Sequence, residues 1–137
     1  MIYLLDACAV IAFINSEPEG FLVKEILDRT ETDEIKIYMS IINLVEVYYN
    51  LIRADGLDIA DEIMRELKNL PITVISTVDE KVYREAARFK ACYSMSFADV
   101  FLCATAKSLA ATIITKDEEI RPVEEKEKIS IYWINKK

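Results

Sequence analysis

Two rhythms run along this chain: short unbroken apolar runs, and longer stretches in which apolar residues recur three and four positions apart. Ile2 to Leu5 is a β-prone run ending at Asp6, and Ala7 to Ile14 continues as an apolar segment suited to a first helix. Ser16-Glu17-Pro18-Glu19 has the form of a helix start. Ser16 is the expected N-cap, Pro18 lies in the first turn, and the helix runs through Phe21, Leu22, Ile26 and Leu27 to about Arg29. Ile35 to Met39 reads as a second strand. Ser40 then caps an apolar-rich helix from Ile41 to about Ala54, closed by Asp55-Gly56, and Asp58 caps the next, through Ile63, Met64 and Leu67. Ile72 to Ile75 is a β-branched strand, followed by the capping box Thr77-Val78-Asp79-Glu80 and a helix with Val82, Tyr83, Ala86 and Phe89 on one face. Ser96-Phe97-Ala98-Asp99 opens a helix to about Leu109, Ala111 to Thr115 is a fourth strand, and Ile129 to Ile134 a last one. The charged stretch from Lys116 to Lys128 reads as a solvated connection between those two strands. Short apolar strands alternating with helices predict a parallel sheet covered on both faces, an α/β fold of about five strands.

Composition narrows the chemistry. The 137 residues, with no repeat and no linker, make one domain spanning 1–137. With 53% hydrophobic residues but only 2 Gly and 3 Pro, the chain is too apolar for disorder and too poor in turn-formers for a many-stranded sandwich. Histidine is absent, which removes imidazole acid–base catalysis, Ser-His and Cys-His pairs and His-ligated zinc together. A net charge of −7 argues against a surface that binds nucleic acid everywhere, leaving room only for a local basic strip. Cys8, Cys92 and Cys103 form no C-x-x-C and are odd in number, so buried thiols of a reduced chain are expected. The first apolar run lacks a basic flank and is interrupted by Asp6, so neither a signal peptide nor a membrane span is expected, and the location expected is the cytoplasm.

In an open parallel sheet, ligands bind beyond the carboxyl ends of the strands. Four acids stand there: Asp6 after the first strand, Glu46 about two turns into the helix after the second, Asp99 in the first turn of the helix from Ser96, and Asp117 after the fourth strand. Carboxylates held ~4 Å apart repel by a few kcal/mol even at an effective dielectric near 20, so such a cluster is either protonated or holds a cation. Mg²⁺ or Mn²⁺ is the natural occupant of an all-oxygen site, and it would support phosphodiester hydrolysis without histidine. Each acid also has a plainer reading. Asp6 and Asp99 suit helix starts, Glu46 shares a helical stripe with Asn43, Asn50 and Arg53, and Asp117 beside Glu118 and Glu119 suits a turn.

The segment Ser96-Phe97-Ala98-Asp99-Val100-Phe101-Leu102-Cys103-Ala104-Thr105-Ala106, followed by Ile113-Ile114-Thr115-Lys116-Asp117, resembles a PIN domain when taken with Asp6 and the helix from Ser40 to Glu46. Within that family the likeness is to the VapC-type toxin ribonucleases, and it extends over essentially the whole chain. The resemblance implies a Rossmann-like three-layer α/β/α sandwich with strand order 3-2-1-4-5. It also implies a Mg²⁺- or Mn²⁺-dependent endoribonuclease site in which Asp6, Glu46 and Asp99 match the three most regular acidic positions and Asp117 the fourth. Thr115 matches the hydroxyl residue of a T-x-D motif. Cys8 departs from the pattern, standing where many relatives carry Ser or Thr, and is expected to act as a small buried hydrophobe.

On this reading Asp6 and Asp99 share the main cation, Glu46 and Asp117 tune it or hold a second, and Lys116 and Arg53 are the candidates for RNA contact. A cognate antitoxin and a homodimeric state are implied as well. A PIN-fold interaction module with weak or no nuclease activity is the alternative. Other metal–carboxylate classes fit less well. Asp6-Ala7-Cys8 lacks the second acid of a haloacid-dehalogenase-like phosphatase, the acids of a receiver domain are missing, and the scarcity of Gly leaves no P-loop.

Overall fold

The computed structural model describes residues 1–32 and 34–135. Its five strands are β1 (Ile2–Leu5), β2 (Lys36–Ser40), β3 (Thr73–Ile75), β4 (Thr112–Thr115) and β5 (Ile131–Trp133). They form one parallel sheet in the order β3-β2-β1-β4-β5, as the resemblance implied. The helices are α1 (Ala7–Ile14), α2 (Gly20–Asp28), α3 (Ile41–Asp55), α4 (Leu57–Leu67), α5 (Glu80–Cys92), α6 (Phe97–Leu109) and α7 (Arg121–Lys126).

Alternation along the strands divides the interior in two. Tyr3, Leu5, Ile37, Met39 and Ile114 pack with α1 to α4 on one face, whereas Leu4 and Ile113 pack with α5, α6 and α7 on the other. The result is a three-layer sandwich in which β1 and β4 are each flanked by a strand on both sides, with Tyr3 to Leu5 and Ile113 to Thr115 buried. Helix α6 lies deepest. Asp99, Val100, Leu102, Cys103, Ala104, Thr105 and Ala106 are all buried, and α5 covers its outer side. Among the described residues no helix is long and apolar enough to cross a membrane.

Several local expectations are corrected. Ser16 closes α1 instead of opening α2: it adopts a left-handed backbone (φ 54°), with the Ser16 amide on Phe13 O at 3.2 Å and the Glu17 amide on Ala12 O at 2.9 Å. This is the Schellman arrangement, usually built with glycine. Helix α2 therefore begins at Gly20, which lies against the end of α1 so closely that a Cβ there would sit 2.8 Å from Phe13 Cα. Gly20→Ala is accordingly expected to lower stability by about 2 kcal/mol through overpacking against backbone, measurable by denaturant titration.

Asp58 is not an N-cap. Gly56 (φ 88°) both ends α3 and opens α4, and Asp58 lies inside the first turn. Thr77 stays outside α5, whose cap is Asp79, accepting the Val82 amide at 2.9 Å. The stretch from Lys116 to Lys128 is more than a solvated connection. It contains a 3-10 turn (Glu118–Ile120) and α7, because Ile120 and Val123, fully buried and three residues apart, pull it onto the sheet. High charge density conceals these two anchors. The last strand is shorter than Ile129 to Ile134, and the other ends shift by a residue or two. Of the three cysteines only Cys103 is buried; Cys8 is half-buried and Cys92 exposed.

Candidate metal centre

The site grows from the adjacent ends of β1 and β4. The Asp6 amide donates to Ile114 O at 3.1 Å, extending the sheet pairing by one residue, and the Asp6 carboxylate then turns back to cap α1. Its Oδ1 accepts the Ala7 amide at 2.7 Å, and its Oδ2 accepts the Thr115 hydroxyl at 2.6 Å and the Cys8 thiol at 3.4 Å. The capping role and the site role thus fall to one residue. Thr115, fully buried at the end of β4, in turn accepts the Asp117 amide at 3.0 Å. Asp117 caps the following 3-10 turn through the Glu119 amide, also at 3.0 Å.

Asp99 arrives from α6. The Ser96 hydroxyl accepts the Asp99 amide at 3.2 Å, fixing the first turn, and the Ser96 amide donates to Glu119 Oε1 at 2.6 Å. That second bond ties the start of α6 to the turn carrying Asp117. As a result Asp6, Asp99 and Asp117 each present an oxygen within 4.8 Å of the others. Glu46 lies outside this threesome, but near enough that Asp6 and Asp117 act on it. Asn43, fully buried one turn earlier on α3, holds Glu46 Oε1 through its Nδ2 at 2.8 Å.

The electrostatics follow from this crowding. Burial, opposed by the bonds from Thr115, Cys8 and Ala7, still leaves the Asp6 carboxyl above its ordinary range, and the Asp117 charge pushes the same way. Asp99 is pushed up to about 8, first by burial, then by the charges of Asp6 and Asp117. Glu46 is raised by burial and, after Asn43 opposes it, by the same two charges. Asp99 Oδ2 is buried with no hydrogen-bond partner among the described residues, as is Asn43 Oδ1. A buried carboxylate oxygen without a donor is costly unless a cation faces it. Only hard oxygen donors make up the set, which suits Mg²⁺ or Mn²⁺ better than a soft metal. The residues present therefore fit such an ion.

Cys8 is more than packing. Its sulfur lies 3.4 Å from both Asp6 Oδ2 and Thr115 Oγ1 and accepts the Lys116 amide at 3.5 Å, while burial and the Asp6 charge push the thiol up to about 12. It therefore stays a neutral bridge between α1 and the strand-end loop. Lys116 Nζ pairs with Glu17 at 3.1 Å. Arg53 is exposed seven residues beyond Glu46 on a helix that runs away from the strand ends, about 10 Å farther along the axis. Neither Glu119 nor the supporting role of Asn43 emerges from the sequence. Asn43 stands three positions before Glu46 on the same face, a spacing that could signal the pair; Glu119 carries no local signal.

Thr115→Val is expected to lower Mn²⁺ affinity or turnover about 10- to 100-fold, since it removes the donor that orients Asp6 and the acceptor for the Asp117 amide. Calorimetric titration with Mn²⁺ checks this apart from activity.

A PIN domain family model matches residues 3–126 of this chain. No curated protein sequence gives a significant match. Among solved structures, VapBC2 from Rickettsia felis, bound to a DNA fragment from the promoter, aligns with a TM-score of 0.77 at 15% identity, over 96% of this chain and 98% of that one. VapBC-1 from nontypeable Haemophilus influenzae gives 0.74 at 17% identity, over 99% and 100%. VapC20 from Mycobacterium tuberculosis, described as a sarcin-ricin loop cleaving toxin, gives 0.65 at 14%, over 90% and 95%. At these identities the likeness is one of fold.

Proposed function

The chain belongs to the PIN domain family, and from that premise we propose that it is a Mg²⁺- or Mn²⁺-dependent endoribonuclease, the toxin of a VapBC-type toxin–antitoxin pair. The observation that carries this reading is the meeting of Asp6, Asp99 and Asp117 at the strand ends, with one Asp99 oxygen buried and unpartnered.

In this reading the three aspartates hold the cation and Glu46 stands beside them. Such an ion, when bound, lowers the pKa of a coordinated water and stabilises the charge that develops on phosphorus. The chain's own residues do the rest. Thr115 and the Ala7 amide fix both oxygens of Asp6, and Asn43 fixes Oε1 of Glu46. Glu46 Oε2 is then the oxygen left to hold or pass a proton, in a chain with no histidine to do so. Its raised, half-buried carboxyl suits that task better than a fully solvated one.

A cognate antitoxin is part of the proposal, supported by the VapBC assemblies among the structural neighbours. An apolar hollow of about 320 Å³ between Val10, Met39, Leu44, Met64, Leu67 and Val74 would accept an apolar segment of that partner. A homodimer belongs to the same reading.

The test is cleavage of a structured and an unstructured RNA by purified protein in Mg²⁺ or Mn²⁺, against chelator and the Asp99→Asn variant. Cation-dependent cutting that disappears in the variant is expected. Cutting that persists in both controls overturns the assignment. A folded protein that neither cuts RNA nor takes up Mn²⁺ in calorimetry is the interaction module instead.

A further inference from the structure

Helix α6 makes only half of its own N-terminal cap. In the reciprocal cap that opens with serine, the serine hydroxyl accepts the amide three residues on, and a carboxylate at that third position reaches back to the serine amide. The first half is present: Ser96 is the N-cap, and its hydroxyl accepts the Asp99 amide at 3.2 Å. The second half is made differently. The Asp99 carboxylate lies with those of Asp6 and Asp117, one of its oxygens buried with no partner among the described residues. The Ser96 amide donates instead to Glu119 Oε1 at 2.6 Å. From 23 positions away, Glu119 takes the place that Asp99 would fill locally, and so leaves Asp99 to the acid centre.

The same peptide unit is held at its other end. Lys90, in the last turn of α5, donates from Nζ to Met95 O at 2.6 Å, and the Met95 side chain is buried in the core beneath α6. The Met95–Ser96 peptide therefore lies between an ammonium on its carbonyl and a carboxylate on its amide, both bonds charge-assisted and short. Glu119 is anchored in turn, because its own amide donates to Asp117 Oδ1 at 3.0 Å. One residue thus links two acids of the centre: its backbone holds Asp117, and its side chain holds the turn that bears Asp99.

We propose that Glu119 is a positioning residue of the metal centre: by capping α6 from the Asp117 turn, it keeps Asp99 from closing its own cap and fixes the spacing of Asp99 and Asp117. The inference rests on the metal-dependent reading above and deepens it. What matters at position 119 is the hydrogen-bond acceptor rather than the charge. Without that acceptor the Ser96 amide competes with the cation for the Asp99 carboxylate, and the two turns are no longer tied.

The experiment is calorimetric titration of wild type, Glu119→Ala and Glu119→Gln with Mn²⁺, each paired with thermal melts with and without the cation. Glu119→Ala is expected to bind Mn²⁺ about tenfold more weakly. Its cation-free melting temperature should stay close to that of wild type, since Asp99 gains the donor that Glu119 gives up. Glu119→Gln keeps an acceptor at Oε1 and is expected to bind Mn²⁺ as wild type does. Wild-type affinity in Glu119→Ala overturns the proposal. An equal loss in Glu119→Gln does so too, because it makes the charge the cause. A Glu119→Ala melt as far below wild type in saturating Mn²⁺ as without it makes the bond a structural tie only, and also overturns the positioning role. Loss in Glu119→Ala with recovery in Glu119→Gln upholds it even where wild-type protein cuts no RNA, and only the ribonuclease reading then falls. Wild-type protein that takes up no Mn²⁺ overturns both.

Discussion

Asp99→Asn is expected to lower RNA cleavage by at least about a hundredfold while the protein remains folded, the scale on which loss of transition-state charge stabilisation is felt. The fold survives because Asp99 Oδ2 has no hydrogen-bond partner among the described residues to lose, and the backbone amide of residue 99 keeps its bond to Ser96. Asp6→Asn is expected to reduce cleavage as far, but it is the less clean variant. Asp6 uses both oxygens as acceptors, from the Ala7 amide and from the Thr115 hydroxyl. An Asn amide nitrogen must face one of those donors, so part of the loss would be misplacement of Thr115 or a weakened α1 cap. Circular dichroism and a thermal melt alongside single-turnover cleavage separate the two effects. Asp99→Asn turning over like wild type would remove Asp99 from the centre.

The second large effect is a stability that falls as pH rises in the absence of divalent cations. Asp99 is held near 8 and Asp6 above its ordinary range, whereas in the unfolded chain both titrate near 3.8. Between those limits the folded protein keeps protons that the unfolded chain releases, so each pH unit lowers stability by up to about 1.4 kcal/mol per retained proton. This contribution is complete below about pH 4 and lost as pH rises through about 8. Glu127 behaves oppositely. Arg88, then Tyr93, depress it to about 2, so its contribution is lost only in acid. With no histidine in the chain, the interval from pH 5 to 8 reports mainly on the acid cluster.

Cation-free protein should therefore melt several degrees lower at pH 8 than at pH 5. Millimolar Mn²⁺ should narrow the difference by binding only the folded state. Asp99→Asn should remove most of it and melt about 5 °C above cation-free wild type at pH 8, because an uncharged amide replaces a buried carboxylate. A melting temperature independent of pH and of Mn²⁺ would mean that the three acids neither crowd one another nor share a cation.

Much of this site is legible in the amino-acid sequence alone. Asp6 and Asp117 follow strands whose apolar runs are short and sharply ended, and Asp99 follows a Ser N-cap three residues earlier, so each can be assigned to the carboxyl edge of a parallel sheet. The same reasoning puts Glu46 on α3, yet its distance from the threesome depends on how far that helix leans over the sheet. The local departures have a different origin. Ser16-Glu17-Pro18-Glu19 satisfies every rule for a helix start, but the end of α1 claims Ser16 first. The run after Thr115 reads as solvated because charges surround Ile120 and Val123, and only the presence of a sheet face to cover makes those two decisive.

The strands, most of the helices, the covering of a parallel sheet on both faces and the three aspartates at one edge all follow from local pattern. They rest on periods of two and 3.6 residues and on caps, which depend on neighbours within a turn. The mesh that makes those acids a centre is a product of tertiary packing. Thr115 reaches Asp6 across 109 positions because β1 and β4 are paired in register, and Glu119 anchors Ser96 across 23. Cys8 bridges α1 to the loop at Lys116, and the Asp99 oxygen is left without a donor among the described residues. Such contacts join side chains from elements that share no local pattern, so they exist only once burial of both sheet faces has fixed where the strand ends lie.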